Sequence, residues 1–374
     1  MAKKSKKLNL KFNKTTLFIL IAIVVIVGLL VALAYSPVGA SLLGNLDDGS
    51  QDGTSGTPKR IIKLGGNAVD ASSNVILENV VCQIHFIDVG QGDAILVQFS
   101  DGTDVLIDGG STSSGLADIR TSYVNYLMGA GIVDEIDYMI VTHPDTDHYN
   151  MLTAVMDSFV VECVMLNNTA KNQTYGTFID RVHEEVSGTN FIGLDGDGEV
   201  YDNVISGVGY SFDIYAPGYD RFQDDNEEFD AYESNGMSPI ILLEVANRKV
   251  LFTGDATYET EEWFVSYLGE NACDVDVLKV AHHGSDSSNT EAFLDKINAE
   301  FAVISSDDGT KHGHPTPIVM NRLFDRGIVT YRTNRHGDIV LSIDESGDFA
   351  YEVEKEVMVE NNTNNVNDRM IVTE

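Results

Sequence analysis

Basic residues are scarce in this chain and unevenly placed. Its 374 residues include 24 Lys and Arg against 58 Asp and Glu, for a net charge of −34. Six of the 24 (Lys3, Lys4, Lys6, Lys7, Lys11 and Lys14) precede Leu17, a stretch without an acid, so 18 cations serve everything after it. Such a surface repels polyanions and gathers cations. It lacks the basic footprint of a polynucleotide binder, which argues against strong nucleic-acid binding. Two readings of the acidity stay open: solubility in a salty or crowded exterior, or an acidic mouth that concentrates a divalent metal or cationic substrate. Cysteine is equally sparse. Cys82, Cys163 and Cys273 are odd in number and show no C-x-x-C spacing, which excludes a disulfide scaffold. Each lies in an apolar stretch, as a small buried side chain does. No repeat at solenoid spacing occurs. What is present is a hydrophobic content of 43%, enough for a packed core, in a length suited to one large catalytic domain or two modest ones.

The N-terminus bears on compartment. Leu17 to Tyr35 (LFILIAIVVIVGLLVALAY) runs nineteen residues without a charge. As a helix that is about 28 Å, close to the roughly 30 Å hydrocarbon core of a bilayer. With lysines on its N-terminal side, the expectation is a single-pass anchor in the lipid bilayer, N-terminus cytoplasmic and the large domain extracytoplasmic. A cleaved signal peptide is the alternative, since Val38-Gly39-Ala40 is a passable cleavage site, although the apolar run exceeds the usual signal length. The expected organisation is a basic tail over 1–16, the anchor over 17–35, a Gly/Ser/Asp-rich linker over 36–75, a catalytic domain over 76–345 and a polar tail over 346–374.

Short β-type runs cover Val80 to Asp88, Ala94 to Phe99, Thr103 to Asp108, Ile136 to Thr142, Ile240 to Val245, Lys249 to Thr253, Asp276 to Val280 and Ala302 to Ser305. Helical stretches such as Leu116 to Met128, Glu259 to Leu268 and Thr290 to Ile297 lie between some of them, which predicts a layered α/β (α+β) sandwich. Histidines and aspartates fall just past several of these strands, where sites form. The densest group is Thr142-His143-Pro144-Asp145-Thr146-Asp147-His148. Four ligand-type side chains in six residues can converge on one or two cations, and imidazole with carboxylate suits zinc, manganese or iron. Asp255 ends the strand of Val250 to Gly254, and His282 and His283 end that of Asp276 to Val280. Neighbours leaving a strand point to opposite sides, so one of the two histidines is expected to face a metal and the other not.

These pieces, with Phe86-Ile87-Asp88-Val89-Gly90-Gln91-Gly92-Asp93-Ala94, Leu106-Ile107-Asp108-Gly109-Gly110, Leu278-Lys279-Val280-Ala281-His282-His283-Gly284-Ser285, His312-Gly313-His314-Pro315 and Tyr331-Arg332-Thr333, resemble the metallo-β-lactamase-fold hydrolases of the ComEC-like branch, over about Ile84 to Ile343. The resemblance implies a four-layer αββα sandwich. It implies that Asp147, His148, Asp255 and His283 surround one metal, and that His143 and Asp145, with Asp255 shared, hold a second. Asp108, with Asp88 and Asp93, would support those ligands from behind. His282 and His314 would face substrate as oxyanion stabiliser or proton donor, with Asp147 at the reacting centre. The chain departs from the broad superfamily in carrying Asp145 where a histidine is usual, and in lacking a middle histidine. Between His148 and His282 the only histidine is His183, in a stretch that reads as a surface helix. Asn235 or Ser238 is the candidate for that place and for contact with substrate. Fewer imidazoles favour a harder ion such as manganese over zinc, as one or two ions per chain.

Arg332, with Arg322, Arg326 and Arg335, is a candidate phosphate grip, ordinary ion pairs being the alternative. The expected activity is nuclease-like hydrolysis of a phosphodiester by metal-activated water. Alternatives are hydrolysis of another envelope ester, amide or lactam, a phosphorylcholine-esterase-like activity, and a non-catalytic metal-dependent binding module.

Overall fold

The computed structural model describes residues 61–63, 74–76 and 79–355, apart from 169–171, 187–189, 195–197, 219–230, 271–272 and 309–312. Among the described residues no helix is long and apolar enough to cross a membrane, and the expected anchor lies outside them.

A small antiparallel ladder joins β1 (Ile61–Lys63) and β2 (Asn74–Ile76). The first half of the domain then runs β3 (Val80–Phe86), β4 (Ala94–Phe99), β5 (Asp104–Gly109), α1 (Leu116–Gly129), β6 (Glu135–Val141), α2 (Thr146–Tyr149), α3 (Leu152–Met156), β7 (Val160–Leu166), α4 (Gln173–Glu185) and β8 (Phe191–Gly193). The second half runs β9 (Val200–Gly207), β10 (Tyr210–Tyr215), α5 (Ala231–Gly236), β11 (Ile240–Val245), β12 (Arg248–Phe252), α6 (Tyr258–Leu268), β13 (Val277–Lys279), a 3₁₀ turn over Ala281–Gly284, α7 (Glu291–Ile297), β14 (Phe301–Ile304), α8 (Pro317–Asp325) and β15 (Val329–Arg332). After α9 (Thr333–His336), β16 (Ile339–Asp344) and β17 (Phe349–Val353) return the chain to the first sheet. That sheet has the order β17-β16-β3-β4-β5-β6-β7-β8, and the second β15-β14-β13-β12-β11-β10-β9. The pairing of β16 with β17, Leu341 opposite Tyr351, carries the domain past the boundary expected at 345.

Strand alternation builds the layers. In β4, Ile95, Val97 and Phe99 face the core between the sheets while Ala94 and Leu96 face the helices. In β12, Val250 and Phe252 point inward and Leu251 outward. Both faces are apolar, so the strands read as continuous hydrophobic runs rather than alternating ones. Tyr123, Leu152, Tyr175 and Phe178 from α1, α3 and α4 cover the first sheet, and Phe264, Phe293 and Leu323 from α6, α7 and α8 the second. The result is a two-sheet α/β sandwich with helices packed outside each sheet.

Each sheet begins as an antiparallel meander and continues in parallel, from β5 in the first and from β12 in the second. Parallel strands joined through helices all present their C-terminal ends at one edge, where open α/β sheets collect ligands. Asp108 lies at the end of β5, and His143, Asp255, His283 and Ser305 just beyond β6, β12, β13 and β14.

Candidate metal centre

Asp108 anchors the first group of side chains. Its Oδ1 accepts the Thr142 backbone N–H at 2.8 Å, and its Oδ2 accepts the Thr142 hydroxyl at 2.7 Å and His148 Nδ1–H at 2.8 Å. Because the Thr142 hydroxyl donates to Asp108, its oxygen accepts from His143 Nδ1, 3.0 Å away. His283 Nδ1 donates in the same way to the Ser305 carbonyl at 3.0 Å. Three imidazoles are thus tied at Nδ1, which leaves each Nε2 as the bare acceptor. All three Nε2 atoms are buried without a hydrogen-bond partner, as is Asp255 Oδ1. They converge: His148 Nε2 is 3.3 Å from Asp255 Oδ1, while His143 Nε2 and His283 Nε2 are 3.9 and 3.5 Å from Asp255 Oδ2. Asp147 Oδ2 is 3.5 Å from His283 Nε2. The triplets His143–His148–Asp255, Asp147–His148–His283 and Asp93–Asp108–His148 each bring ligand-type atoms within 4.8 Å of one another. Buried lone pairs aimed at a common space, with no proton donor between them, fit a divalent cation.

Electrostatics agree with that reading. Burial, with the charge of His148, lowers His143 to about 4. Burial also opposes the charging of His148 and His283. For His148 the carboxylates of Asp255 and Asp108 outweigh it, and for His283 those of Asp255, Asp147 and Asp93 do, so both are raised. Asp255 is equally buried, yet His283, His148 and His282 hold its carboxyl well below the usual range. A bound cation would answer the same carboxylates from the side of the bare Nε2 atoms.

Glycines let the turns meet. A Cβ on Gly110 would stand 2.3 Å from both Asp147 C and His148 N, so a side chain after β5 would displace the ligand turn. Past β13 the backbone of His282 and His283 is left-handed, with φ of 50° and 53°. Side-chain residues pay for this conformation, and it is sustained only where surroundings enforce it. Here Asn289 exchanges hydrogen bonds with the Ala281 N–H and carbonyl, while Glu261 accepts the N–H groups of Asn289 and Thr290. The same curl revises the expectation that the two histidines face opposite ways. His282 Nε2 also reaches Asp255 Oδ2, at 3.7 Å, because the chain has left the extended conformation in which neighbours alternate.

The remaining candidates separate. Asp145 belongs to none of the three triplets, and its Oδ1 accepts the Ser234 hydroxyl at 2.5 Å. Asn235 Nδ2 lies 3.3 Å from His282 Nε2, and the ring of His314 meets that of His282 edge-on at 5.4 Å. His282 and Asp147 keep 22% and 20% of their side chains exposed, which marks the open side of the centre. Ser238 does not face that opening: it is fully buried, and its Oγ accepts the Asp255 N–H at 3.1 Å. Asp93 does lie behind a ligand, its Oδ1 3.6 Å from His283 Nδ1. Asp88 does not. It accepts from Gly90 and Lys355, and its N–H donates to Asp338. Three of the four arginines turn to protein acceptors. Arg332 Nε donates to Asn334, Arg322 to the carbonyls of Ser288 and Asn289, and Arg326 to Asp295. Sequence reasoning passed over Lys279, which is fully buried and 2.6 Å from Asp93. A charge inside the apolar run Val275 to Val280 was the signal.

The model of the metallo-β-lactamase superfamily matches residues 87–225. Recombination protein 2 of Haemophilus influenzae is 29% identical over 242 residues, 64% of this chain and 26% of that protein. Competence protein ComA of Neisseria gonorrhoeae is 26% identical over 260 residues, 70% of this chain and 32% of that one. The chain therefore spans about a quarter to a third of the length of these curated relatives. Among solved structures, the diiron β-hydroxylase CmlA of Streptomyces venezuelae aligns with a TM-score of 0.46 at 16% identity, covering 73% of this chain and 56% of that one.

Proposed function

We propose that this chain, which carries a metallo-β-lactamase-superfamily domain with ComEC-like competence proteins among its homologues, is a membrane-anchored hydrolase that cleaves phosphodiesters outside the cytoplasm. The observation that carries the hydrolytic reading is the convergence of three buried, bare Nε2 atoms on the Asp255 carboxylate. His143 with Asp255 would hold one divalent ion, joined by Asp145 on release of the Ser234 hydroxyl, and Asp147, His148 and His283 with Asp255 another. The carboxylate-rich position suits manganese as well as zinc. A divalent cation supplies Lewis acidity to the scissile oxygen and brings the pKa of water from about 15.7 towards about 7.

The chain's own residues do the rest. Asp108, Thr142 and Ser305 keep the protons of His148, His143 and His283 on Nδ1. Burial lowers His282 from the ordinary imidazole value, against the opposing pull of Asp255. From the exposed side of the centre, with Nδ1 3.1 Å from Ser287 Oγ, it is placed to hold or pass a proton at Nε2. The acidic composition favours a small phosphodiester or envelope substrate over a polynucleotide.

The test is turnover of bis-p-nitrophenyl phosphate by the full-length protein with manganese or zinc. Phosphodiester hydrolysis that stops on chelation and returns with metal is expected. Hydrolysis of carboxylic esters or β-lactams instead would move the substrate class. Metal binding without turnover of any of these would make the domain a binding module.

A further inference from the structure

We propose that the buried ion pair between Lys279 and Asp93 is a positioning device that sets the separation of Asp147 and His283, and through it the affinity of the metal centre; this rests on the metal-site reading above. Lys279 Nζ stands 2.6 Å from Asp93 Oδ2, and the two side chains are 0% and 2% exposed. Stripping both charges of water costs about as much as their attraction returns, so stability alone does not account for such a pair.

Its location does. Asp93 immediately precedes β4 in the first sheet, and Lys279 closes β13 in the second. The Asp93 N–H donates to the Asp147 carbonyl at 3.0 Å, and its own carbonyl accepts from Gly110 at 3.1 Å. The backbone of Asp93 therefore grips the turn that carries Asp147 and His148. On the other side, Lys279 lies four residues before His283, and its ammonium also donates to the Val280 carbonyl at 3.1 Å. One salt bridge thus joins the ligand turn of one sheet to the ligand turn of the other.

The pair also restrains a competing contact. Asp93 Oδ1 is buried without a hydrogen-bond partner, 3.6 Å from His283 Nδ1, whose proton goes to Ser305. With Lys279 removed, the ion-pair contact left to the carboxylate is His283. Drawing the ring towards Asp93 pulls it from Ser305 and swings Nε2 away from Asp147.

The experiment measures cobalt(II) and manganese(II) affinity of full-length protein in mild detergent, by competition with a chromogenic chelator, for wild type, Lys279→Met, Asp93→Asn and the double variant. Each single variant is expected to weaken binding by about 10- to 100-fold, the range for groups that orient ligands. The double variant should lose no more than the worse single one, because the two act as a unit. The cobalt absorption bands should move in all three. Should Lys279→Met fail to fold with a lone buried carboxylate, the charge-neutral double variant carries the same comparison. Folded variants with lower melting temperatures but wild-type affinity and spectrum would overturn the proposal, as would additive losses. Wild-type protein that binds neither ion would overturn the metal-site reading itself, a separable result.

Discussion

Asp108→Asn is the most informative single change, because it alters a proton's address without altering shape. In the native site three donors share one carboxylate: the Thr142 N–H, the Thr142 hydroxyl and His148 Nδ1–H, all within 2.8 Å. Asparagine offers a single acceptor. The backbone N–H cannot adapt, so the amide oxygen stays with it and the NH₂ group turns towards Thr142 Oγ1 and His148 Nδ1. His148 must then carry its proton on Nε2, the atom 3.3 Å from Asp255 Oδ1 that would otherwise receive the metal. Backbone strain does not confuse the comparison, since asparagine tolerates the left-handed φ of 58° at this position. The fold should lose about 1–3 kcal/mol for the weakened hydrogen bonds. Metal affinity should fall at least about 10- to 100-fold. Asp108→Ala strands all three donors and puts at positive φ a residue less tolerant of it than aspartate, so about 4–6 kcal/mol is expected, a large part of a typical domain's roughly 5–15 kcal/mol. Chelator competition gives the affinity, and ¹⁵N spectra of the imidazoles report which nitrogen bears the proton. Wild-type metal affinity in folded Asp108→Asn, with His148 still protonated at Nδ1, would refute the reasoning.

Other consequences follow from the same geometry. Chelation should lower the melting temperature of wild type and much less that of Asp255→Ala, because Asp255 is the carboxylate common to the converging imidazoles; equal shifts would put the metal elsewhere. His283→Ala should lose about one equivalent of metal on elemental analysis. His282→Ala should keep its metal and lose roughly 10²–10³-fold in kcat, the scale of one proton-transfer or oxyanion contact, and the reverse pattern would exchange their roles. Glu261 gives a pH signature: burial outweighs the donors Thr290 and Asn289 and the charge of Arg322, lifting it from 4.5 to about 7. The folded state then holds a proton that the unfolded chain has released. This group's contribution is full below about pH 4.5 and is lost as pH rises to about 7, about 3 kcal/mol in all. Denaturant titrations of Glu261→Gln across that window should show a flatter slope than wild type, and an unchanged slope would remove Glu261 as its source.

Residues that act through local order were legible in the sequence. His143, Asp147 and His148 share one turn, and His283 and Asp255 each close a hydrophobic run, so spacing and resemblance sufficed to nominate them. What spacing cannot convey is which distant group a side chain meets. Asp88 and Asp93 occupy the same motif five residues apart, yet one turns to Lys355 and the other to Lys279, 186 residues away. Ser238 was read as lying near the site and does, but behind Asp255 rather than before it. The opposed orientation expected of the histidine pair is absent for a conformational reason. A positive φ is the habit of glycine, and nothing local in Ala281-His282-His283 announces it. The restraint comes from Asn289 and Glu261, on other elements. The layered sheets were readable because both faces of their central strands are apolar, whereas β17 mixes Glu352 with its apolar residues and sits only partly buried, so it is hard to distinguish from a tail.

The two halves of the sandwich each bring part of the metal centre, His143 to His148 from one sheet and Asp255 to His283 from the other. A cation bound there would be a staple between sheets in a molecule whose described cysteines are all free thiols. Unlike a disulfide, such a cross-link needs no oxidant, is undone by dilution or a competing chelator, and re-forms without reshuffling. It also closes a long stretch of chain, where the entropy withheld from the unfolded state is greatest. The supply of free metal in the surrounding medium would then govern more than turnover: it would set how often the sheets part, and so how long the enzyme survives proteases.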